Sequence, residues 1–356
     1  MALHLIRQMY AVIICCLSVR RRPHDVDLLF SETQTMTQVH RRSVLKQAVV
    51  AGVASVVSTA SATSWNSMAA RRKFTMDLTG GAIGVRAGQI DAINLAHKHG
   101  FESVAPDSGY LASLDNSRRS DLSALMKEKK IVWGAAGLPV EFRADENTFR
   151  SGLKRLPELA KAMELAGVKR VSTWLKPYHA ELTYVANFRQ HARRLRECVE
   201  VLGDHGQRFG MEYVGPKTLW ASERHSFIHT MAETKDLIAE IGRDNVGFVL
   251  DSWHWYTAHE TAHELRTLTN KDVVACDLND APAGLEIDQQ IDNRRELPSA
   301  TGVIDMKSFL GVLVEIGYDG PIRSEPFNAK LNAMEDDEAC AATAAAMKRA
   351  FALIGE

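Results

Sequence analysis

The sequence has little of what small cross-linked proteins or membrane-spanning proteins depend on. Its 356 residues include only 5 cysteines and 10 prolines, and aromatic residues make up 7%. No two cysteines form a CxxC pair, so neither a disulfide framework nor a structural zinc cluster is indicated. The apolar patch at 10–19 is shorter than the roughly 20 apolar residues that span a bilayer.

An excess of charge of one sign is also missing. The chain has 43 Lys and Arg against 44 Asp and Glu. Removal of residues 1–62, predicted below to be cleaved, leaves 36 basic and 41 acidic groups, a net charge of −5. Nucleic acid is therefore not an expected partner. No basic cluster or phosphate-cradling loop supports a phosphorylated ligand.

The N-terminal segment has the layout of an export signal. Arg41 and Arg42 precede an apolar run of small residues at 48–60, and a small-residue cleavage site ends at Ala62. This order resembles a twin-arginine signal, which predicts recognition by the twin-arginine export machinery. The mature protein would be periplasmic, without stable membrane insertion. A basic, disordered N-terminal arm is the alternative interpretation.

Three segments are predicted along the chain. Residues 1–35 do not fit the signal, whereas translation from Met36 would give one of ordinary layout. We therefore predict an over-extended N-terminus at 1–35, a signal peptide at 36–62 and a single catalytic domain at 63–356. That domain is long enough for an eight-stranded barrel of roughly 250 residues plus insertions.

Acidic residues stand where four short, apolar, strand-like runs end. Glu212, Asp251, Asp277 and Glu325 follow one another at intervals of 39, 26 and 48 residues, with helical stretches between them. Strands that alternate with helices predict a parallel sheet whose carboxyl ends meet at a binding crevice. Counting four earlier strand-like runs, we predict a (β/α)8 barrel with these acids closing strands five to eight. The earlier runs are 74–78, 101–105, 131–135 and 169–174.

The four acids predict a metal site. One such acid alone is more typical of a helix cap or an ion pair, but four at successive strand ends favour a divalent ion with oxygen ligands. Such an ion favours the enediolate formed when a neighbouring C–H proton is removed. Glu212 and Glu325 are the predicted acid/base pair, because their longer side chains can touch the metal and still reach the substrate carbon.

Other residues are candidates for substrate binding. His254, shortly after strand six, is a candidate donor to a substrate oxygen. Trp174 and Trp253 would offer apolar faces to a sugar ring, although tryptophan is equally good core material. Arg295 is a candidate for fixing a hydroxyl or carboxylate, with a solvated loop arginine as the alternative. Weaker candidates of the same kind are Lys176 and Lys217.

Short motifs throughout the predicted domain carry a resemblance to a known family. They lie at 80–85, 172–174, 211–216, 251–254, 279–282, 295–298, 302–305, 317–320 and 324–327. Together they resemble the sugar phosphate isomerase/epimerase family, the xylose isomerase-like barrels. The resemblance implies a TIM barrel, a divalent metal and aldose-ketose or epimerase chemistry. It also implies Glu212 and Glu325 as the acid/base pair, with His254 and Arg295 near the substrate. Because nothing in the chain supports phosphate binding, an unphosphorylated carbohydrate is the favoured substrate.

Two departures from the family pattern bear on metal and substrate. Many relatives have histidine where Asp277 stands, so the ligand set is richer in oxygen, which favours Mn²⁺ or Mg²⁺ over Zn²⁺. Asp280 is a further candidate ligand. The usual Pro-Gly-x-Gly after the arginine is one residue longer here, at 298–302, which leaves substrate preference open.

Four other functions compete with the isomerase or epimerase. The HExxH sequence at 259–263 matches a zinc protease motif, but a solvated helical face is the preferred interpretation. DNA-repair endonucleases built on the same barrel are disfavoured. Those enzymes need additional histidines after strands two and three, and the corresponding loops here supply none. A lyase or dehydratase acting on a keto-sugar or keto-inositol stays open, as does a non-catalytic sugar-binding barrel.

Overall fold

The structure is a computed structural model that describes residues 71–356. The predicted over-extended N-terminus, the twin-arginine motif and the cleavage site at Ala62 lie outside the described residues. Among the helices in 71–356, none has both the length and the apolar composition required to cross a membrane.

Eleven short strands build the described part of the fold. Nine of them, joined only by parallel pairings, form one sheet, and β6 and β8 form a separate antiparallel pair. The strands are β1 (Thr75–Leu78), β2 (Ser103–Val104), β3 (Val132–Trp133), β4 (Ala136–Gly137), β5 (Arg170–Trp174), β6 (Tyr178–His179), β7 (Arg208–Glu212), β8 (His225–Ser226), β9 (Val246–Asp251), β10 (Val273–Asp277) and β11 (Pro321–Arg323).

The nine-stranded sheet closes into a barrel with eight strand positions, which we call staves. Its order is β3-β2-β1-β11-β10-β9-β7-β5-β4, and β3 and β4 are the two halves of one stave that is interrupted at Gly134 and Ala135. β3 pairs with β2 and β4 pairs with β5, so this split stave closes the ring. The predicted (β/α)8 fold is confirmed.

Glycine is required where the third stave is interrupted. A Cβ atom on Gly134 would lie 2.1 Å from Oδ1 of Asp77, a buried carboxylate on β1. That distance is far inside van der Waals contact. The predicted runs at 101–105 and 131–135 therefore contain strands, but each strand is only two residues long.

Helices cover the outside of the barrel. Leu156, Leu159 and Met163 of α4 are buried at the three-to-four-residue spacing of an amphipathic helix. The last helix has Asp336, Asp337 and Glu338 in its first turn and Arg349 in its last, the charge order that the helix dipole favours. The helices are α1 (Gln89–His99), α2 (Ser108–Ala112), α3 (Asn116–Lys129), α4 (Glu146–Ala166), α5 (Tyr184–Asp204), α6 (Lys217–Trp220), α7 (Met231–Ile241), α8 (Ser252–Thr257), α9 (Ala262–Leu265), α10 (Met306–Glu315) and α11 (Asp336–Ala352).

The strands that carry the acidic residues are the most deeply buried part of the fold. Every residue of β9 and β10 is buried, as expected when helices cover one side of a sheet and side chains fill the other. The last residues of these strands are therefore held by a packed core. In a barrel, the carboxyl ends of the strands form the face where active sites lie.

Candidate active site

The structure brings the four acidic residues together at the carboxyl end of the barrel. Glu212, Asp251 and Asp277 are the last residues of β7, β9 and β10, and Glu325 lies two residues beyond the end of β11. One carboxylate oxygen from each side chain lies within 4.8 Å of those from the other three. We call these four residues the acidic cluster.

Burial makes the acidic cluster electrostatically unusual. Glu212 is only 5% exposed, and burial raises its pKa well above the ordinary value, with repulsion from Asp277 and Glu325 adding to the effect. Burial also raises the pKa of Asp251 to about 6 and that of Glu325 to about 7. Carboxylates this close cannot all stay ionised unless a cation neutralises them, and without one some of them take up protons.

Glu212 is the carboxylate of the cluster that most lacks a partner. Its Oε1 is buried and receives no hydrogen bond from the residues that the structure describes. A buried carboxylate oxygen without a hydrogen-bond partner is unfavourable unless a bound ligand, such as a cation, interacts with it. The donor set is made of hard carboxylate oxygens, the ligands that Mn²⁺ and Mg²⁺ prefer. The acidic cluster therefore fits a divalent ion.

Two arginines lie against the acidic cluster. Arg295 donates from Nη1 to Asp251 Oδ2 at 2.7 Å and from Nη2 to Asp292 Oδ1 at 2.8 Å. Arg323 donates to both oxygens of Asp277, from Nη2 to Oδ2 at 2.8 Å and from Nε to Oδ1. Burial acts to lower the pKa values of both guanidinium groups, but attraction to the neighbouring carboxylates outweighs it and raises them, so both groups keep their charge.

Arg323 was not predicted as a site residue from the sequence, although the alternation of side chains along its strand indicated it. Side chains alternate along a strand, so a residue two places before Glu325 faces the same side of the sheet. The register also places Arg323 beside Asp277 on the neighbouring strand. An arginine at this inward position predicts an ion pair with one of the acids, which the structure shows.

Asn279 connects three neighbouring staves at the site. Its Nδ2 donates to both oxygens of Asp251, at 3.1 and 3.2 Å, and its Oδ1 accepts from the backbone N–H of Glu325 at 2.8 Å. Its backbone carbonyl accepts from Ser252 Oγ at 2.7 Å. These bonds fix the orientation of Asp251 and the start of the segment that carries Glu325.

The expectation that Asp280 shares the ligand role is wrong. Its Oδ1 accepts from the backbone N–H groups of Ala281 and Ile304, at 2.8 and 3.1 Å. Its Oδ2 accepts from those of Thr301 and Gly302, at 2.9 and 2.8 Å. The carboxylate therefore accepts hydrogen bonds from four backbone N–H groups. The two from Thr301 and Gly302 hold the longer loop at 298–302 in place.

His254 lies on α8 beside the acidic cluster and is 1% exposed. Donors approach both ring nitrogens, because the backbone N–H of Gly215 lies 3.2 Å from Nδ1 and Arg295 Nη2 lies 3.1 Å from Nε2. A neutral ring has one accepting nitrogen, so it accepts from only one of these donors. Nε2 lies 4.0 Å from Glu212 Oε1 and 3.8 Å from Asp251 Oδ2. Burial lowers the pKa of His254 well below its ordinary value, followed by repulsion from Arg295. The ring is therefore neutral.

Arg295 lies against the His254 ring. Arg295 Nη2 lies 3.1 Å from His254 Nε2. With the ring proton on Nδ1, Arg295 donates to Nε2, and with the proton on Nε2 the two nitrogens are both donors. In the second case, an acceptor oxygen placed between them would satisfy both, which is a way for a substrate hydroxyl or carbonyl to bind.

A cavity of about 710 Å³ opens at the acidic cluster. Trp174 is 45% exposed on its wall, with the Arg143 guanidinium carbon 4.4 Å from the ring centroid. The walls also include Lys176. Residues of the cluster and its neighbours that face the cavity are Glu212, His254, Asp292, Arg295, Arg323 and Glu325.

Two predicted substrate-binding residues lie elsewhere. Trp253 is 0% exposed and does not line the cavity; it packs in the core, with the Arg295 guanidinium carbon 5.6 Å from its ring centroid. The expectation that it faces a sugar ring is wrong, because the first turn of α8 directs it inward. Lys217 is also outside the cavity lining, and its Nζ donates to Asp288 Oδ2 at 2.6 Å.

The HExxH sequence does not form a metal site. α8 ends at Thr257 and α9 begins at Ala262, so His259 and His263 do not share one continuous helix. His259 pairs with Asp288 at 2.8 Å. Glu260 is buried and accepts from the Tyr213 hydroxyl and from the backbone N–H of Met231. The motif is a coincidence of sequence, although it does not lie on the solvated helical face that was expected.

Comparison with known proteins gives a consistent family. A family model described as xylose isomerase-like TIM barrel matches residues 93–350. An inosose isomerase from Bacillus velezensis is 24% identical over 252 residues, covering 69% of this chain and 86% of that protein. A 3-dehydroshikimate dehydratase from Pseudomonas aeruginosa is 26% identical over 135 residues, covering 38% of this chain and 20% of that protein.

Solved structures show the same fold. A xylose isomerase domain protein from Alicyclobacillus acidocaldarius superposes with a TM-score of 0.69 at 27% identity, covering 80% of this chain and all of that one. The IOLI protein with a bound zinc atom superposes with a TM-score of 0.62 at 20% identity, covering 77% of this chain and 96% of that one.

Proposed function

Because the chain belongs to the xylose isomerase-like TIM barrel family, we propose that it is a divalent-metal-dependent isomerase or epimerase of a sugar or keto-sugar. The observation that carries the proposal is the acidic cluster at the end of a cavity, with a buried oxygen on Glu212 that has no hydrogen-bond partner within residues 71–356. The likeness to an inosose isomerase supports the choice of reaction class.

Glu212, Asp251, Asp277 and Glu325 would hold the metal, which we propose to be Mn²⁺ or Mg²⁺. When bound, the ion supplies electrophilic stabilisation of the negative charge that develops beside the reacting carbon. His254 also lies within reach of Glu212 and Asp251, so the site has one nitrogen donor beside its oxygen donors. With the ring proton on Nδ1, Nε2 has a lone pair for a metal, and this is the feature by which Zn²⁺ would compete.

Glu212 and Glu325 would move the proton. Both line the cavity, and burial raises the pKa of both, to about 7 for Glu325. A pKa near neutrality suits a group that must both accept and return a proton. With a cation bound, the pKa values of these two carboxylates would be lower, so one of the two glutamates would be ionised and act as the base. The second glutamate would then return the proton to the substrate.

Arg295, His254 and Trp174 would orient the substrate. With the ring proton on Nε2, Arg295 Nη2 and His254 Nε2 are two donors 3.1 Å apart that can share one substrate oxygen. The exposed face of Trp174 offers an apolar surface for a sugar ring. Lys176 on the cavity wall is a further donor for a hydroxyl group or carboxylate.

A dehydratase acting on a keto-sugar or keto-inositol is the second candidate. It begins with the same removal of a proton beside a carbonyl and ends with loss of a substituent from the next carbon. The likeness to part of a 3-dehydroshikimate dehydratase favours it. Analysis of the product separates the two reactions, because only the dehydratase releases water.

Deuterium exchange tests the proposed function. Protein loaded with Mn²⁺ is incubated in deuterated water with a panel of sugars, keto-sugars and keto-inositols, and NMR follows incorporation at carbon. We expect exchange with at least one compound and a loss of about 10²-fold or more in Glu212→Gln and Glu325→Gln. Glu128→Gln, an exposed change on α3, is the matched control. Binding without any exchange would instead identify a non-catalytic sugar-binding barrel.

We also propose that the protein is exported through the twin-arginine machinery and acts in the periplasm. The order of paired arginines, apolar run and small-residue site at 41–62 supports this. N-terminal sequencing of the mature protein tests it. A first residue close to 63 is expected, and a chain that still begins before Arg41 would contradict export with cleavage.

A further inference from the structure

Arg323 holds Asp277 by a two-point ion pair at the edge of the acidic cluster. Nη2 and Nε donate to different oxygens of the same carboxylate, the fork geometry that gives arginine its specificity for carboxylates. Asp277 is fully buried, and Arg323 is largely buried with one side facing the cavity. The pair is therefore fixed in orientation.

The second contact of Arg323 is with another candidate ligand. Its Nη2 lies 3.9 Å from Glu325 Oε1. Arg295 makes the corresponding contacts on the other side, with Asp251 Oδ2 at 2.7 Å and Glu325 Oε2 at 3.7 Å. The two guanidinium groups thus bracket the acidic cluster, and Asp292 shares Arg295 from the side nearer to solvent.

Charge decides which ion such a site prefers. Four ionised carboxylates carry a formal charge of minus four, and two guanidinium groups reduce it to minus two, or to minus three when Asp292, which shares Arg295, is included. Paired with Arg323, Asp277 contributes an oxygen lone pair but no net charge. Asp277 and Arg323 together then act on an ion much as a neutral ligand would.

We propose that Arg323 is a positioning residue that sets the charge selectivity of the metal site, favouring divalent over trivalent ions and directing one oxygen of Asp277 to the metal. The inference rests on the proposed metal-dependent function. Removing the positive charge strengthens attraction in proportion to the charge of the bound ion, so a trivalent ion gains more than a divalent one. Selectivity therefore reports on Arg323 directly.

The test compares Mn²⁺ with Lu³⁺, an ion of similar radius and higher charge. Affinities are measured on the full mature chain by competition with a chelator, and the ratio of the two is the readout. Arg323→Gln is expected to raise the Lu³⁺ to Mn²⁺ affinity ratio by about tenfold or more. Arg323→Lys keeps the charge, so its ratio should stay within about threefold of the original even if both ions bind more weakly.

The double variant Asp277→Asn with Arg323→Gln guards against misfolding. It removes both charges of the buried pair together, so no unpaired charge is left in the core. If the pair acts as a neutral unit, the double variant keeps the original ratio within about threefold. Arg170→Gln is the matched control, because it breaks another ion pair of the barrel, with Asp319 at 2.7 Å. Arg170 is the first residue of β5, so this pair lies at the amino end of the barrel, away from the acidic cluster.

The outcomes separate this inference from the proposed function. An unchanged ratio in Arg323→Gln, or a tenfold fall in the double variant, would overturn the role of Arg323 while leaving metal binding intact. A shift in Arg170→Gln as large as that in Arg323→Gln would show a general effect of lost ion pairs and also overturn it. If the original protein binds neither ion, the proposed metal site itself fails, and the inference fails with it.

Discussion

Glu212 shows how burial without a hydrogen-bond partner makes a single carboxylate ready to bind a cation or a proton. Its side chain ends the strand β7 inside the barrel, and its Oε1 lacks a hydrogen bond among the described residues. Asp251 and Asp277 are instead held by arginines, at 2.7 Å from Arg295 Nη1 and 2.8 Å from Arg323 Nη2. The residue with the unsatisfied oxygen is the one most available to a cation or a proton.

The raised pKa values predict that metal-free protein becomes less stable as the pH rises from acidic to neutral values. Burial raises the pKa of Glu325 to about 7 and that of Asp251 to about 6, so the folded state binds protons that the unfolded state releases. Their stabilising contribution is complete below the unfolded values, near 4, and is lost as the pH rises to about 7. Thermal unfolding of chelator-treated protein from pH 5 to pH 8 should show a falling Tm.

The control for this prediction is the same protein with a divalent ion. The bound cation favours the ionised carboxylates, so it should remove most of the decline in Tm across this range. A Tm of the metal-free protein that rises between pH 5 and pH 8 would contradict the assignment of these carboxylates as buried and poorly compensated.

At the scale of the elements, the positions of the strands were predictable from the sequence, but their lengths and the side-chain orientations in short helices were not. The four apolar runs before Glu212, Asp251, Asp277 and Glu325 are strand-like in sequence and are staves in the structure. The two-residue strands β2 and β3 leave only a weak pattern. Trp253 was ambiguous, because the orientation of a residue in a six-residue helix depends on packing and not on periodicity.

The side-chain bonds of the site were less predictable than its strands. Asn279 and Asp280 are neighbours in sequence, yet Asn279 binds Asp251 and Asp280 binds the loop at 298–302. Which of two adjacent polar residues faces the site depends on the path of the backbone after β10. Arg323 was predictable from strand alternation once the position of β11 was known.

The split third stave predicts a sensitive glycine. Gly134→Ala would place a Cβ atom 2.1 Å from Asp77 Oδ1, so either the stave or the buried carboxylate must move. We expect a loss of about 2 kcal/mol or more in the free energy of unfolding. Urea denaturation measures it. Gly137→Ala on the same stave meets nothing within 4 Å and should change stability by less than about 1 kcal/mol.

At the scale of the whole molecule, the barrel assembles one site from distant parts of the sequence. Glu212 and Glu325 are separated by 113 positions, yet their carboxylates lie in one cluster because both follow parallel staves of a closed sheet. Helices bury the outside of the staves, so the ends cannot move independently. The described fold, from β1 to α11, thus places the candidate ligands, the proton-transfer pair and the cavity at a single face.

Metal binding by the purified mature protein tests this account most directly. Titration calorimetry of chelator-treated protein with Mn²⁺ should show one ion per chain, and an ion concentration 100 times the Kd should stabilise the fold by about 2.7 kcal/mol. Asp251→Asn should weaken binding by at least about tenfold, whereas Asp244→Asn, which lies outside the acidic cluster, should not. Folded protein that binds no divalent ion, or binds one equally well without the Asp251 carboxylate, would contradict the central claim.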